Sequence, residues 1–237
     1  MIPVYYDLHI HSALSPCADN DMTPNDIVGM ALLNGLDMIA VTDHNTVANA
    51  ISTVKAAADK PLIVLPGIEV STAEEVHVIC LFDSAAAALS FEAELSPFFS
   101  AIPNRIDIFG EQIIFDENDN VTGELGRMLI APSSISFDDL YLMVHKHGGA
   151  FVPAHVDRDS FSVISNLGFI PPHLDIKTIE VSLVGIEREY DKKNAELFAK
   201  KNMIFSSDAH QLWSINEKNN FLLLPERTAK AAIDYLR

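Results

Sequence analysis

The 237-residue chain has few cysteines, few basic residues and no long hydrophobic run, and each shortage argues against a class of protein. Cys17 and Cys80 are too few for a disulfide framework, and no CxxC or Cys/His finger spacing is present. No stretch approaches the ~18–20 apolar residues needed to cross a bilayer. The N-terminus lacks the basic and apolar regions of a secretory signal. We therefore expect a protein of a reducing, cytoplasmic setting with no membrane partner.

Basic residues are scarce: 16 Lys and Arg stand against 33 Asp and Glu, a formal net charge of −17. Nucleic-acid binders usually carry basic patches, so this charge predicts that a nucleic-acid polymer is an unlikely partner. The acidity either favours solubility or reflects carboxylates that face divalent cations, which formal counting omits. Hydrophobic residues make up 49% of the chain, enough for one domain over residues 1–237. The oligomeric state is left open.

Short apolar runs alternate with segments of helical pattern, and Thr23-Pro24 and Ser136 mark helix starts. This alternation predicts an α/β fold with a mostly parallel sheet, and seven or eight repeats over this length favour a barrel. The predicted strands are Val4–Ile10, Met38–Thr42, Leu62–Leu65, Val76–Phe82, Ala150–Pro153, Thr178–Ser182, Met203–Ser206 and Phe221–Leu224. The predicted helices are Pro24–Asn34, Val47–Ala58, Ala85–Phe99, Phe137–Lys146, Glu187–Lys200 and Glu226–Leu236.

The segment 96–136 interrupts the alternation. Two short apolar runs, at Ile113-Ile114-Phe115 and Val121-Thr122, flank an Asp/Asn-rich tip, which predicts a hairpin. We interpret 96–136 as an insertion over one face of the barrel and a candidate lid.

Metal-type ligands fall near the ends of the predicted strands. Side chains two apart in a strand share a face, so His9 and His11 form a half-site for a metal. Glu69 lies in an apolar run, where a lone buried carboxylate is costly. Active sites of parallel barrels lie at the C-terminal ends of the strands. His77, at a strand start, needs an antiparallel or irregular strand to join them. The converging set is His9, His11, His44, Glu69, His77, His155, Asp208 and His210.

Several of these residue types also have plain structural explanations. A single barrel histidine is commonly a hydrogen-bonded core residue, and Asp43 could cap the following helix. His145 and His147 precede a Gly-Gly helix stop, and His173 lies in a loop, so we assign these three structural roles. Cys17 is a metal ligand, a redox-active thiol or, more simply, a small buried residue in a tight loop.

The motifs resemble those of the PHP (polymerase and histidinol phosphatase) family, whose barrel binds a trinuclear metal cluster. The resemblance covers most of the chain outside 96–136 and implies a distorted (β/α)7-type TIM-like barrel. It is closest to the stand-alone phosphoesterases acting on small phosphates, rather than to modules fused to DNA polymerases. The motifs are His9-x-His11, Thr42-Asp43-His44, Gly67-x-Glu69, His77, Ala154-His155 and Asp208-x-His210.

The resemblance implies two to three divalent transition-metal ions, with zinc, manganese and iron all suited to the ligands. In the family, a loop ligand of the third ion shortly precedes a Thr-Pro helix start. Counting back from Thr23-Pro24 makes Asp19 the match, with Asp21 and Cys17 as competitors. The implied ligand sets are His9, His11, Glu69 and Asp208 for one ion, Glu69, His77 and His155 for a second, and His44, His210 and Asp19 for a third.

We predict hydrolysis of a small phosphate monoester (a nucleotide, sugar phosphate or amino-alcohol phosphate) by a hydroxide bridging two metals. The catalytic candidates are Glu69 as the bridge, Asp43, which with Asp7 could orient imidazole N–H groups, and Arg158, which follows a strand end and could bind phosphate. Further substrate-binding candidates are Arg127, with Arg105 beside it in the insertion, and Ser15, Asn45 and Ser207.

Two other functions remain open at this stage. Amidohydrolase-type enzymes also begin with HxH on the first barrel strand, but they often use a carbamylated lysine as the bridge, and no lysine sits at a suitable strand end here. A non-catalytic metal-binding regulatory module would show lost ligands, and none of the motif ligands is missing.

Overall fold

The computed structural model describes residues 1–187 and 189–237. Their strands are β1 (Ile2–Ile10), β2 (Met38–Val41), β3 (Ile63–Ser71), β4 (His77–Leu81), β5 (Ile113–Phe115), β6 (Val121–Glu124), β7 (Ala150–Pro153), β8 (Thr178–Glu180), β9 (Asn202–Ile204) and β10 (Phe221–Leu224). The α-helices are α1 (Pro24–Leu33), α2 (Ala48–Ala56), α3 (Ala85–Leu95), α4 (Ile106–Phe109), α5 (Phe137–Lys146), α6 (Val163–Leu167), α7 (Leu183–Glu187), α8 (Tyr190–Lys193), α9 (Ala195–Phe198) and α10 (Ala229–Leu236).

A curled six-stranded sheet in the order β10-β1-β2-β3-β4-β7 forms most of a barrel wall. β8 and β9 form a parallel pair beside it, joined to the sheet by the Val156 N–H to Glu180 carbonyl hydrogen bond (2.9 Å). A parallel bridge between Ile10 and Ala209 links the chain after β9 back to β1. The predicted α/β barrel is therefore confirmed, in a distorted form.

The strand directions differ from the mostly parallel sheet that we predicted. β1–β2 and β2–β3 are parallel, but β10–β1, β3–β4 and β4–β7 are antiparallel. The prediction was wrong on this point because β3 turns directly back into β4, without a helical crossover. The reversal brings the start of β4, with His77, to the rim where β3 presents Glu69.

The barrel interior is apolar below that rim. Leu8, Leu65 and Ile79 belong to a buried cluster drawn from seven strands, and α10 closes its base with residues such as Ala232 and Leu236. Separate clusters pack α1 and α2 outside β1 and β2, and α3 and α5 outside β3, β4 and β7. This packing fixes the strand ends that carry the polar residues.

Gly67 permits the close approach of β3 to its neighbours just below Glu69. A Cβ atom at this position would lie 2.7 Å from Thr42 Cγ2 and 2.8 Å from Leu81 Cδ2. Both distances are shorter than packed carbon atoms allow, so a side chain here would displace the strand that carries Glu69.

Most of the predicted helices are confirmed. α3 ends at Leu95, before Pro97, which lies in a short 3-10 turn and has no N–H for a helical hydrogen bond. The single helix predicted over 187–200 is wrong: the chain forms the short helices α7, α8 and α9, and Glu189 between the first two has a φ of 55°. In the described residues no helix is both long and apolar enough to span a bilayer.

The 96–136 segment contains α4 and the predicted hairpin, formed by β5 and β6. Buried side chains bond it to the barrel. Asn45 Nδ2 donates to the carbonyls of Leu129 (2.8 Å) and Ala131 (3.0 Å), and Asn49 Oδ1 accepts from Phe115 N–H (3.0 Å). The single domain over 1–237 and the lid role stay predictions.

Candidate metal centre

Six histidines from distant parts of the chain form a ring of imidazoles at the rim of the barrel. Neighbouring ring centroids lie 4.4–6.0 Å apart, the shortest being His11 to His210. β1, the β2–α2 turn, β4, the end of β7 and the loop after β9 each contribute at least one ring. The members of this imidazole ring are His9, His11, His44, His77, His155 and His210.

The Glu69 carboxylate lies at the centre of this ring and is 1% exposed. It approaches imidazole nitrogens of five of the six histidines at 2.9–3.5 Å, the sixth being His210. Oε1 faces His9, His77 and His155, whereas Oε2 faces His11 and His44. One carboxylate therefore touches both sides of the cluster, as a bridging ligand must.

Asp208 adds a second carboxylate above His9 and His11. Its Oδ1 lies 3.3 Å from His9 Nε2 and 3.1 Å from His11 Nε2. Its Oδ2 pairs with Arg158 Nη2 at 2.6 Å. Asp208 thus joins the candidate metal ligands to Arg158, one of the arginines predicted to bind phosphate.

Hydrogen bonds define which nitrogen of His9 carries a proton. Nδ1 lies 3.0–3.1 Å from both oxygens of the buried Glu180 carboxylate, an acceptor, so Nδ1 is the protonated nitrogen of the neutral ring. The lone pair of Nε2 is then free and points toward His11 and Asp208. Glu180 also accepts the His155 backbone N–H at 3.0 Å.

His11 is held in the same tautomer through a different chain of contacts. The single hydroxyl proton of Ser15 is donated to Asp43 Oδ1 (2.7 Å), so Ser15 Oγ must accept from His11 Nδ1 (3.0 Å). Asp43 also accepts from Ser12 N–H (2.8 Å) and Ser12 Oγ (2.6 Å). Asp43 therefore positions His11 through Ser15 and does not line the centre itself.

The Nε2 atoms of His9 and His11, which are not the protonated nitrogens of these two tautomers, therefore meet in a buried space. His9 Nε2 and His11 Nε2 are 3.2 Å apart, both side chains are fully buried, and carboxylate oxygens surround them. Such an arrangement is repulsive unless a metal ion or a proton lies among the four groups. Burial would lower the pKa of His9, but the carboxylates of Glu180, Asp208 and Glu69 raise it well above its usual range, so a proton takes this position until a metal ion displaces it. The donor set of imidazole nitrogen and carboxylate oxygen suits zinc, manganese and iron.

The spacing of the donor atoms fits shared cations. Ligands about 2.1 Å from one ion, at angles of about 90–109°, are separated by about 3.0–3.4 Å. The nitrogen-to-oxygen separations around Glu69 and Asp208 are 2.9–3.5 Å. His44 Nδ1 and Glu69 Oε2 are buried without a hydrogen-bond partner, as unfilled ligand positions would be.

Burial and charge shift the pKa values of the cluster in opposite directions. Burial alone would raise the pKa of Glu69, but His77, His44 and His9 hold it well below its usual range. Burial, with His210, lowers the pKa of His11 to about 3. For His44, the nearby Glu69 carboxylate outweighs burial and raises the pKa to about 10. In the absence of metal ions, protons bound to the histidines must therefore balance the negative charge of the buried carboxylates.

A further group of ligands lies on the far side of His11. One donor atom from each of His11, Cys17, His44 and His210 lies within 4.8 Å of the other three. Asp19 is exposed and outside this group, so the geometry favours Cys17 over Asp19 as the loop ligand. The expectation that Cys17 is a small buried residue is wrong, because the residue is exposed.

Backbone strain accumulates at the same rim. Asn45, His155 and Asp208 have φ values of 53°, 30° and 52°, in the left-handed region that side chains with a Cβ rarely adopt. Strained residues of this kind cost about 1–3 kcal/mol each and persist where the surrounding structure holds them. Two of these residues, His155 and Asp208, carry candidate metal ligands.

A cavity of about 280 Å³ opens above the cluster. Arg158 and Phe161 form part of its mouth, and Ile130 of the 96–136 segment lines it. Phe161 is 47% exposed and stacks on His77 with ring centroids 4.9 Å apart and an interplanar angle of 21°. A second cavity of about 410 Å³ adjoins it and shares Arg158, with Ser207 in its wall.

The other substrate-binding candidates lie elsewhere or are already engaged. Arg127 Nη2 donates to the Asn45 carbonyl at 2.6 Å and its guanidinium lies over Phe99. The side-chain amide of Asn45 is hydrogen-bonded to the 96–136 segment, and the Ser15 hydroxyl is hydrogen-bonded to His11. Ser207 Oγ bonds to backbone groups, although the residue lines the adjoining cavity. Exposed Arg105 pairs with Asp107.

The sequence analysis did not identify Glu180 as a partner of His9, and its prediction that Asp7 orients an imidazole is wrong. Glu180 lies within a predicted strand between two apolar residues, the same signal that drew attention to Glu69. Asp7 accepts from the backbone N–H groups of Ser207 (3.0 Å) and Asn216 (2.9 Å), not from an imidazole, and burial raises its pKa to about 6. Asp7 therefore holds the loop that carries Asp208.

The three histidines that we set aside lie outside the cluster. His145 Nδ1 contacts the Tyr141 carbonyl, His147 pairs with Glu94, and His173 pairs with Asp138.

Comparison with known proteins places this geometry in a family. A PHP domain is matched over residues 7–205. The chain is 33% identical to a 5'-3' exoribonuclease of Haemophilus influenzae over 79 residues, and 33% identical to a 3',5'-nucleoside bisphosphate phosphatase of Chromobacterium violaceum over 88 residues. These alignments cover 32% and 35% of this chain, and only 28% and 30% of the relatives.

The fold is shared more widely than the sequence. The lesion-specific endonuclease EndoQ of Pyrococcus furiosus superimposes with a TM-score of 0.72 at 17% identity, over 99% of this chain and 56% of that protein. This likeness supports the distorted TIM-like barrel.

The relatives overturn one prediction. We predicted from net charge that a nucleic-acid polymer is an unlikely partner, and this is wrong, because the similar proteins include an exoribonuclease and an endonuclease. The formal charge misleads because metal ions at such a centre contribute positive charge that the sequence does not count.

At the level of the family the prediction of a metal-dependent phosphoric-ester hydrolase is confirmed. From the match over most of its length, this chain belongs to the PHP domain family.

Proposed function

We propose that this chain hydrolyses a phosphate ester of a nucleotide, either free or at the end of a nucleic-acid strand, with bound divalent ions. The observation that carries the proposal is the convergence of the bare Nε2 atoms of His9 and His11 on the Glu69 and Asp208 carboxylates. The relatives named for nucleotide and nucleic-acid hydrolysis support the substrate class.

Two groups of residues would hold two of the ions. His9, His11 and Asp208 form one group, and His44, Glu69 and His77 form the other. His155 Nε2, 3.4 Å from Glu69 Oε1, could complete the second group. Zinc, manganese or iron would activate water for in-line attack and neutralise the phosphate charge.

Arg158 supplies the protein's own positive charge at the mouth. Its side chain is 45% exposed, and its guanidinium already orients Asp208 Oδ2 at 2.6 Å. Because a guanidinium has several fixed donors, Arg158 can keep this ion pair and bind a phosphate oxygen with a remaining N–H group.

Phe161 gives the mouth an apolar face suited to a nucleobase. One face of its ring stacks on His77, and the residue remains 47% exposed at the cavity. A base on an aromatic ring gains about 1–3 kcal/mol. The small cavity above the cluster fits one nucleotide end better than a length of backbone.

The test compares substrate classes on one metal-loaded preparation. We expect turnover of a 3',5'-nucleoside bisphosphate or a 5'-phosphorylated single-stranded oligonucleotide to exceed that of p-nitrophenyl phosphate. Digestion from the oligonucleotide end would identify the polymer as substrate, and exclusive release of phosphate from the bisphosphate would identify the free nucleotide. Glu69→Gln should abolish either reaction, whereas Glu94→Gln, at a partly buried position outside the centre, should not. Hydrolysis of amides or lactones alone, or equal rates for the two variants, would refute the proposal.

A further inference from the structure

We propose that Cys17, as a thiolate, is the loop ligand of a third ion held with His44 and His210, and that this ligand makes the position selective for zinc. The inference rests on the proposed function for the other ions. It assigns His44 to the third ion, and His155 then completes the second group with Glu69 and His77. Such a site would have three protein ligands and an open position.

The three proposed donor atoms are already close together, and His11, a candidate ligand of the first ion, lies beside them. Those of His11, Cys17, His44 and His210 lie within 4.8 Å of one another. His210 Nδ1 faces the Asp208 carbonyl at 2.8 Å, which leaves its Nε2 available as a ligand. His44 is 7% exposed, and its Nδ1 lacks a hydrogen-bond partner although Glu69 Oε2 is 2.9 Å away.

The loop between β1 and α1 is held so that Cys17 faces these imidazoles. On one side Ser15 donates to the buried Asp43, and Ala18 N–H donates to the Ser15 carbonyl at 2.9 Å. On the other side Asp19 N–H donates to the His210 carbonyl at 2.9 Å. The loop is therefore bonded to the segments that carry two of the other ligands, while the Asp19 side chain stays exposed.

A thiolate gives this position a different metal preference from the rest of the centre. The other groups offer only imidazole and carboxylate, which suit manganese and iron as well as zinc. Thiolate sulfur favours zinc over manganese, a harder cation that prefers oxygen. A protein loaded with manganese should thus leave the Cys17 position weakly filled.

The second cysteine makes the site directly testable. Cys80 is fully buried, so an aromatic disulfide reagent should titrate only Cys17 in the folded apo-protein. We expect saturating zinc to slow this reaction by at least about tenfold, because a coordinated thiolate is not free to attack, and manganese to slow it much less. An unchanged rate with zinc fully bound would overturn the proposal, as would equal protection by both metals.

Metal content and colour give an independent check. Cys17→Ser should lose about one equivalent of zinc, while the matched Cys80→Ser variant retains it, because serine is a poor zinc ligand. Cobalt substitution should produce a thiolate-to-metal charge-transfer band that disappears in Cys17→Ser and persists in Cys80→Ser. Equal zinc content, or a band in neither cobalt protein, would refute the assignment. Thiol protection without hydrolysis of any phosphate ester would instead leave Cys17 as a ligand and refute only the proposed function.

Discussion

Single side chains set the chemistry of the centre by fixing the protonation of their neighbours. Glu180 and Ser15 each take the Nδ1 proton of one histidine, so that the two Nε2 lone pairs meet near Glu69. The carboxyl and hydroxyl groups that hold these tautomers are themselves buried. The cluster therefore depends on residues that never touch the ion positions.

We predict that Glu180→Gln weakens metal binding by about 10–100-fold, the usual effect of removing a carboxylate that orients a ligating histidine. The neutral amide keeps the shape but stabilises the N–H of His9 less well. Competition with a chromophoric zinc chelator measures the change. Glu94→Gln, on a partly buried glutamate paired with Lys146, is the control. Equal affinities for the two variants would show that Glu180 has no positioning role.

At the mouth of the cavity, Phe161→Ala should raise KM for nucleotide substrates roughly five- to hundredfold, because the substitution removes about 1–3 kcal/mol of stacking free energy. The rate on p-nitrophenyl phosphate should change little, since that substrate has no nucleobase. Phe169→Ala, which removes a similarly exposed ring (54%) away from the cavity, serves as the matched variant. A parallel loss on both substrates would point instead to disturbance of His77.

At the scale of elements, the positions of the strand ends could be predicted from the sequence, but the conformations of the loops could not. Apolar runs followed by His, Asp or Glu located the ligand-bearing ends of five strands, β1, β2, β3, β7 and β9, and His77 alone indicated an antiparallel strand. Cys17 and Asp19 could not be separated, because a long-range bond from the Asp19 N–H to the His210 carbonyl decides which side chain faces the centre. Glu180 was missed because its partner, His9, is 171 residues away.

The side-chain amide of Asn45 anchors the part of the 96–136 segment around Leu129 and Ala131. Asn45→Ala would leave the carbonyls of Leu129 and Ala131 and the Ser71 N–H without their partner, at about 1–3 kcal/mol for each unpaired group. We predict a loss of about 2–5 kcal/mol in the free energy of unfolding and faster proteolysis within 96–136. Urea denaturation and limited proteolysis measure both. Asn120→Ala at the exposed hairpin tip should change neither, and matching behaviour of the two variants would contradict the anchoring role.

At the scale of the molecule, buried carboxylates and strained backbone make folding depend on bound ions. A ligand at 100 times its Kd adds about 2.7 kcal/mol to the stability of the folded state. For a chain of this size we expect zinc to raise Tm by about 5–10 °C. His9→Ala should largely lose this shift in differential scanning calorimetry. An unaltered Tm in the wild-type protein on addition of zinc would show that the centre does not bind it.

The acidic surface gives a second prediction at this scale. Among the described residues that line the two cavities, Arg158 is the only permanent cation. Log affinity for a nucleic-acid strand should therefore fall with log salt at a slope of only about −1 to −2, because about one or two phosphates are neutralised. Fluorescence anisotropy with a labelled oligonucleotide measures the slope. A slope as steep as that of a basic groove, about −6 or beyond, would contradict recognition of a strand end.

The position of Glu69 has a consequence for how the centre fills. Because the Glu69 carboxylate contacts histidines of both candidate ion groups, an ion bound in one group would fix the carboxylate and pre-arrange it for the other. We therefore predict that the two ions beside Glu69 load cooperatively, and by thermodynamic reciprocity each would strengthen the binding of the other equally. In a metal titration, molecules with only one of these two positions filled should then be rare, whatever the occupancy of the Cys17 position.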